Sequence, residues 1–307
     1  MTVFEFWPDL DQAWQAIPDL STQPSLETAT GGRYRVLKTE SRARVILLGA
    51  EGHAPLVLKI YRTPSRLAWR TFGLASRGNR EFTVMMNSHR LGLPVARPRY
   101  WLERRIRGCV EYSALALDVI DGPDLESWLL DERCGPDQRR QAAATAGDLL
   151  GRFHRAGLFW GTVTPRNLLL PDGDAGRILA IDMPYARLHN KDITGNVHAM
   201  MDLALVLSLS DGQPAFDNRE REALVLAYCA GDRDRARAID NALHTPSHRE
   251  WKRKRLLRRL GNLFSKGAYS SGRGGVYEDD TGAYRPLSSE AVFSIRLRDN
   301  GCLTADP

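Results

Sequence analysis

Four side chains of this 307-residue sequence have groups that can engage an anion or a hard cation, and they occur in a fixed order along the chain. Lys59 follows an apolar run in "LVLKIYR", where an ammonium can face phosphate oxygens. Glu81, in "NREF", supplies a carboxylate able to hold that lysine in place. Asn167 closes "TPRN" with an amide oxygen, and Asp182 in "ILAIDMPYARL" adds a carboxylate. Such oxygens are what a hard cation such as magnesium takes. Thr162 lies five residues before Asn167, and its hydroxyl can hydrogen-bond a substrate but is no appreciable base near neutral pH. Taken singly, each charged residue reads most simply as a solvated surface group. Their order is the informative feature.

For these residues to converge, a strand, a helix and two loops must carry them. "RYRVLKTESRARVILLGAEGHAPLVLKIYR" contains three β-rich runs, predicting an antiparallel meander with Lys59 late in its third strand. Residues 64–92 read as helical, and "NREFTVMMNSHRLGL" brings Phe82, Met85, Met86 and His89 to one side. "LPVARPRYW" and "GCVEYSALALDVI" predict two more strands. Beyond them, "PDQRRQAAATAGDLLGRFHRAG" is a helix opened by Pro136 and Asp137 and closed near Gly157. A hairpin-like segment is expected from Asn167 to Leu188. "VHAMMDLALVLSL" reads as a buried helix, and "NREREALVLAYCAG" and "DRDRARAIDNALH" as amphipathic ones.

These elements divide the chain into a helical extension over 1–30, a β-rich lobe over 31–120, a helical lobe over 121–266 and a tail over 267–307. In the extension, Leu10, Trp14 and Ile17 have helical spacing. The helical lobe ends in "REWKRKRLLRRLGNLFSK", a leucine stripe against a dense basic face. The tail follows a Gly/Ser linker and is polar, with one possible hairpin around Thr281 and Gly282.

Hydrophobic residues make up 43% of the chain, enough for a sizeable core. The acidic, aromatic start lacks the features of a secretory signal, and the greasiest runs are strand-sized, so a cytoplasmic protein without a membrane-spanning helix is expected. Four cysteines without C-x-x-C spacing argue against a zinc site or disulfide framework. The net charge of +6 points to an anionic partner. No interleaving of aromatic and basic residues favours nucleic acid. The basic helix either buries its leucine stripe in the lobe, or lies on the inner leaflet with Lys252, Arg253, Lys254, Arg255, Arg258 and Arg259 facing anionic lipid or lipid A phosphates.

In order and spacing the chain resembles the bacterial lipopolysaccharide core kinase family, which includes the Kdo and heptose kinases of the protein-kinase-like superfamily. The matching pieces are "VLKIYR", "NREFTVMMNSHRLGLPVARPRYW", "VIDGPDLESWL", "LLGRFHRAGLFWGTVTPRNLLL", "ILAIDMPYARL" and "MMDLALVLSL", covering about residues 33 to 230. The resemblance implies an α+β, two-lobed fold with an antiparallel β-rich N-lobe holding one main helix and a mostly helical C-lobe. ATP and magnesium would lie between the lobes. Lys59, Arg42 and Val119 would contact the nucleotide, Glu81 would orient Lys59, Asn167 and Asp182 would hold the metal, and Asp202 would brace the catalytic loop.

Two departures stand against that pattern. "KTESRARV", where a glycine-rich loop would cover the phosphates, has no glycine, and Ser41, Arg42 or Arg44 would have to serve instead. Trp160-Gly161-Thr162 replaces the usual His-Gly-Asp or His-Arg-Asp, so the proton acceptor is missing. Asp172, Asp174, Asp279 and Asp280 are acids that could substitute, although such loop acids are ordinarily just solvated. His154 and His198 read as packed or hydrogen-bonded histidines. The expected function is a pseudokinase or weak phosphotransferase in cell-envelope glycolipid biogenesis. An active lipopolysaccharide core sugar kinase, an AMP transferase and a scaffold without nucleotide are the alternatives.

Overall fold

The computed structural model describes residues 34–39, 43–50 and 53–244, together with short tail strands at 276–278, 284–286, 294–297 and 303–306. The expected helix near residues 8–17 and the basic helix near 250–266 lie outside the described residues.

The first three apolar runs form β1 (Tyr34–Thr39), β2 (Ala43–Ala50) and β3 (His53–Arg62), an antiparallel meander. After two short helical turns comes α1 (Arg77–Arg90), started by Ser76, whose side chain accepts from the Asn79 amide. Strands β4 (Pro98–Ile106) and β5 (Cys109–Asp118) form a hairpin, and β5 pairs with β3, giving the order β1-β2-β3-β5-β4. Alternation along β3 puts Leu56, Leu58 and Ile60 in the core.

Helix α1 lies close against β5, and Gly78 permits the approach. A Cβ at that position would stand 2.8 Å from the Ala114 carbonyl oxygen. The Gly78 amide also donates to Ser113 Oγ at 3.1 Å. Contact at this turn sets the height of Glu81, one turn further on. Phe82 and Met85 are buried as the helical spacing predicts, but His89 is exposed. It falls in the last turn beside Arg90, where polar and cationic groups suit the negative end of the helix.

From Leu125 the chain is mostly helical. Helix α2 (Leu125–Leu129) precedes α3 (Pro136–Arg155), the short strands β6 (Leu158–Phe159), β7 (Leu168–Leu169), β8 (Leu179–Ala180) and β9 (Arg187–Leu188), and then α4 (Val197–Val206), α5 (Asn218–Tyr228) and α6 (Arg233–His244). Helix α3 packs directly on α5 because Gly147 has no side chain: a Cβ there would lie 2.0 Å from the Leu224 carbonyl oxygen. The 167–188 segment is not a single hairpin. β7 pairs with β8, whereas β9 crosses to pair with β6, so the loop after Asp182 is tied back to the strand that leads into Trp160.

The β-rich lobe and the helical lobe, joined through residues 119–124, form the two-lobed α+β fold. The tail contributes to it. β10 (Val276–Glu278) and β11 (Tyr284–Pro286) pair antiparallel, as the hairpin expected around Thr281 and Gly282 requires. β12 (Ser294–Leu297) pairs in parallel with β4, and β13 (Leu303–Asp306) extends the sheet to seven strands. A polar tail gives little periodic signal, so this pairing is not legible in the sequence. Among the described residues no helix is long and apolar enough to cross a membrane, and Cys109, Cys134 and Cys229 are free thiols.

Candidate active site

Three residues far apart in sequence meet where the lobes face each other. Lys59 Nζ lies 2.7 Å from Glu81 Oε1 and 2.9 Å from Asp182 Oδ1. The Glu81 side chain is fully buried and that of Lys59 is 12% exposed, whereas Asp182 keeps 38% of its side-chain surface in solvent. The pair formed by strand and helix is therefore the fixed end of the cluster, and Asp182 is its open end.

Glu81 takes more than the lysine. Its Oε1 also accepts the Met183 amide at 3.0 Å, and its Oε2 accepts a short hydrogen bond from the Tyr61 hydroxyl. Residues 59 and 61 share one face of β3 by the two-residue repeat, so both reach the same helix. Arg77 precedes Glu81 by one helical turn on the same side of α1. Its guanidinium stands 4.3 Å from the Tyr61 ring centroid and 5.7 Å from that of Tyr185. Tyr61 and Arg77 are members of the cluster that motif order did not reveal, although the two periodicities could have pointed to them.

Burial disfavours charge on Lys59, but Glu81 and Asp182 over-compensate and hold its ammonium well above the ordinary lysine range. Burial likewise opposes the Asp182 carboxylate. Lys59, with smaller pulls from Arg77 and Lys38, keeps it below the usual aspartate range. Both groups are charged across the neutral range. Burial, reinforced by Glu81, pushes the Tyr61 phenol far upward, so it remains a neutral donor.

Asp182 has φ +62°, a left-handed conformation that costs a side-chain-bearing residue about 1–3 kcal/mol. The turn aims its carboxylate at Lys59 while its carbonyl faces the catalytic loop. That carbonyl accepts Trp160 Nε1 at 3.0 Å and the Thr162 hydroxyl at 3.4 Å. Trp160 is wholly buried against Phe153. The indole at position 160 thus fills the core and secures the loop at Asp182.

Below the loop, Asp202 is completely buried and accepts the amides of Trp160 and Gly161, each at 2.8 Å. His154 Nε2 lies 3.3 Å from the same carboxylate, and its Nδ1 lies 3.0 Å from the Tyr228 hydroxyl. An imidazole that donates from Nε2 and accepts at Nδ1 satisfies both contacts. His154 is the hydrogen-bonded core histidine the sequence suggests, and His198 stacks on Phe159 at 4.6 Å. The loop is held at its far end by Arg166, 3.0 Å from the buried Glu126.

Asn167 Nδ2 donates to the Thr162 carbonyl at 2.9 Å, which leaves the amide oxygen as the atom to meet a cation. One amide oxygen and one carboxylate fit magnesium, which takes few protein ligands and completes its shell with water and phosphate oxygens. Among the described residues, no group of three or more His, Cys, Asp and Glu side chains could hold a metal by itself. Val119 is half-buried just after β5, where the sheet gives way to the helical lobe. Arg42 and Ser41 lie outside the described residues, as do Asp279 and Asp280, and Arg44 is half-buried on β2. Asp172 and Asp174 are exposed in their own turn, where Asp174 accepts the Gly176 amide.

Comparison with known proteins bears on the same residues. No curated protein sequence matches the chain. Among solved structures it is similar to one described as WaaP in complex with acyl carrier protein, at 18% identity and a TM-score of 0.46, over 75% of this chain and 89% of that one. The model of the lipopolysaccharide kinase (Kdo/WaaP) family matches residues 59–228, a span that runs from Lys59 through Tyr228 and takes in Glu81, Thr162, Asn167, Asp182 and Asp202. The chain belongs to the lipopolysaccharide kinase (Kdo/WaaP) family.

Proposed function

We propose that this chain binds ATP with magnesium between its lobes and has weak or no phosphotransfer, acting as a pseudokinase in cell-envelope glycolipid biogenesis. The supporting observation is the contrast at the cleft: Lys59 bridges Glu81 and Asp182, while position 162 presents a hydroxyl turned to the Asp182 carbonyl. In this reading Lys59 leaves Asp182 for the phosphates, and Glu81 keeps it from straying. Asn167 and Asp182 hold the metal, which neutralises phosphate charge when bound. Arg42 and Val119 complete the nucleotide contacts.

General-base help is worth about 10²- to 10⁴-fold, whereas positioning and electrostatics carry most of a phosphoryl transfer. A slow reaction on a sugar hydroxyl of the lipopolysaccharide core is therefore the second reading, favoured by the intact bracing of the catalytic loop by Asp202. Anionic lipid or lipid A phosphates remain the proposed partners of the basic segment at Lys252, Arg253, Lys254, Arg255, Arg258 and Arg259, on the cytoplasmic side of the inner membrane.

Thermal shift is the first test. ATP with magnesium should raise the melting temperature beyond magnesium alone, and no extra stabilisation would leave a scaffold without nucleotide. Label transfer to a lipid A core acceptor from γ-labelled or α-labelled ATP then separates the outcomes. Neither label moves in a pseudokinase, the γ label moves in a kinase, and the α label moves in an AMP transferase.

A further inference from the structure

At the far end of the β-rich lobe the chain holds two large aromatic side chains out in solvent. Trp69 is 66% exposed and Phe72 is 68% exposed, and Ile106 at the neighbouring β4–β5 turn is 46% exposed. Isolated apolar residues on a surface need no explanation, but a group of them held in a fixed frame does. The frame is visible in the hydrogen bonds. Arg105 donates to the carbonyls of Thr71, Leu74 and Gly108, at 3.4, 2.6 and 2.8 Å. Thr71 Oγ1 accepts the Val110 amide at 2.7 Å and donates to the Ala68 carbonyl at 2.6 Å. Phe72 packs so closely on Gly108 that a Cβ there would lie 2.7 Å from its ring.

The segment that carries these residues is basic as a whole, with Arg77 at the cleft and Arg99 paired to Asp118 at the other end of β5. Residues 62–111 contain eleven arginines and no lysine, against three glutamates and no aspartate. That stretch is net +8, so the rest of the chain carries two more acids than bases, and the positive balance of the whole protein resides here. All three glutamates are engaged: Glu81 by Lys59, Glu103 by Arg105 and Glu111 by Arg104. At the tip itself, Arg70 lies over the Trp69 ring at 5.3 Å and Arg107 is exposed. Arg107 and Gly108 both have positive φ, +49° and +80°, in a two-residue hairpin turn that favours Asn-Gly. An arginine there accepts backbone strain and sets an exposed cation at the turn.

We propose that Trp69, Arg70, Phe72, Ile106 and Arg107 form a docking ledge for an anionic bilayer surface. Tryptophan and phenylalanine suit the headgroup boundary, and arginine draws on the negative potential of anionic lipid, an attraction screened by salt. β5 runs from the ledge to the hinge at Val119, so ten residues of strand, about 30 Å, separate the docked tip from the junction of the lobes. Docking therefore leaves the cleft open to solvent and nucleotide. The ledge is independent of the basic segment at 252–259 and of whether phosphate is transferred.

Co-sedimentation of the full chain with phosphatidylcholine vesicles, with and without one-third phosphatidylglycerol, tests the proposal. Binding is expected only with the anionic lipid, and to fall as salt rises. Trp69→Ala with Phe72→Ala should weaken partitioning about tenfold or more, and Arg70→Glu with Arg107→Glu at least as much at low salt. Unchanged melting temperature and unchanged nucleotide-induced shift in both variants would show that the fold and the cleft are untouched. Undiminished vesicle binding by both double variants would overturn the ledge and assign membrane contact to the basic segment. Failure to bind anionic vesicles, with ledge-dependent retention on a polyglutamate surface, would overturn it in favour of an acidic protein partner.

Discussion

The two halves of the cleft treat the same inherited plan differently. On the β-rich side, Lys59, Glu81 and Tyr61 form a buried, fully engaged cluster held together by its own side chains. On the helical side, the catalytic loop is held by bonds from Asp202 to the amides of Trp160 and Gly161, bonds that do not involve the side chain at position 162. The side chain at 162 can therefore change without loosening these bonds. Where backbone amides carry the architecture, reactivity can be lost while the fold stays whole. On the other side, losing Glu81 would damage architecture and chemistry together.

The widest separation between the halves should appear in Thr162→Asp. If only the base is lacking, this change raises turnover in the labelled-ATP assay by about 10²- to 10⁴-fold. No gain would mean that the nucleotide side is also unfit for transfer. Next is Asp202→Ala, which strands two buried backbone amides and the His154 contact. It should lower unfolding free energy by about 3–5 kcal/mol in urea titration, whatever residue stands at 162.

Glu81→Gln probes the opposite side. Loss of the carboxylate that holds Lys59, Tyr61 and the Met183 amide should cost about 2 kcal/mol of stability. It should also weaken the nucleotide-induced thermal shift, whereas Asp202→Ala affects stability first. The smallest effect is expected at the open end of the cluster. Asp182 has a depressed carboxyl pKa, so its pairing with Lys59 stabilises the fold above the ordinary aspartate value of 3.8 and is lost as pH falls through its folded value. Asp182→Asn tolerates the left-handed backbone. It should be less stable than the parent at neutral pH by at most about 1 kcal/mol, with the gap closing below pH 3.8. A gap that persists in acid would attribute the difference to packing and not to charge.

Much of this was legible in one dimension because local periodicity and motif order carry it. The apolar alternation of β3, the alanine-rich run of α3 and the order of Lys59, Glu81, Asn167 and Asp182 each depend on near neighbours in sequence. The features missed depend on distant partners. Tyr61 and Arg77 join the cluster only because β3 and α1 pack together at Gly78. His89, placed on the apolar side by spacing alone, is exposed because the core face ends before the last helical turn. β9 abandons the expected hairpin for β6, and β12 pairs with β4, because pairing rewards edges that sequence distance does not reveal.

By itself, the sequence determined which chemical groups are present: an ammonium, an amide oxygen, two carboxylates, and a hydroxyl in place of an acid. Residue identity does not depend on folding, so position 162 carries a hydroxyl and no carboxylate in the unfolded chain as much as in the folded one. The tertiary structure alone decided that Lys59 bridges Glu81 and Asp182, that Trp160 secures the Asp182 carbonyl, and that Trp69 and Phe72 stand outside the core. Those are relations of distance and burial between segments up to 123 residues apart. They exist only once the packing of sheet and helices has fixed which atoms can meet.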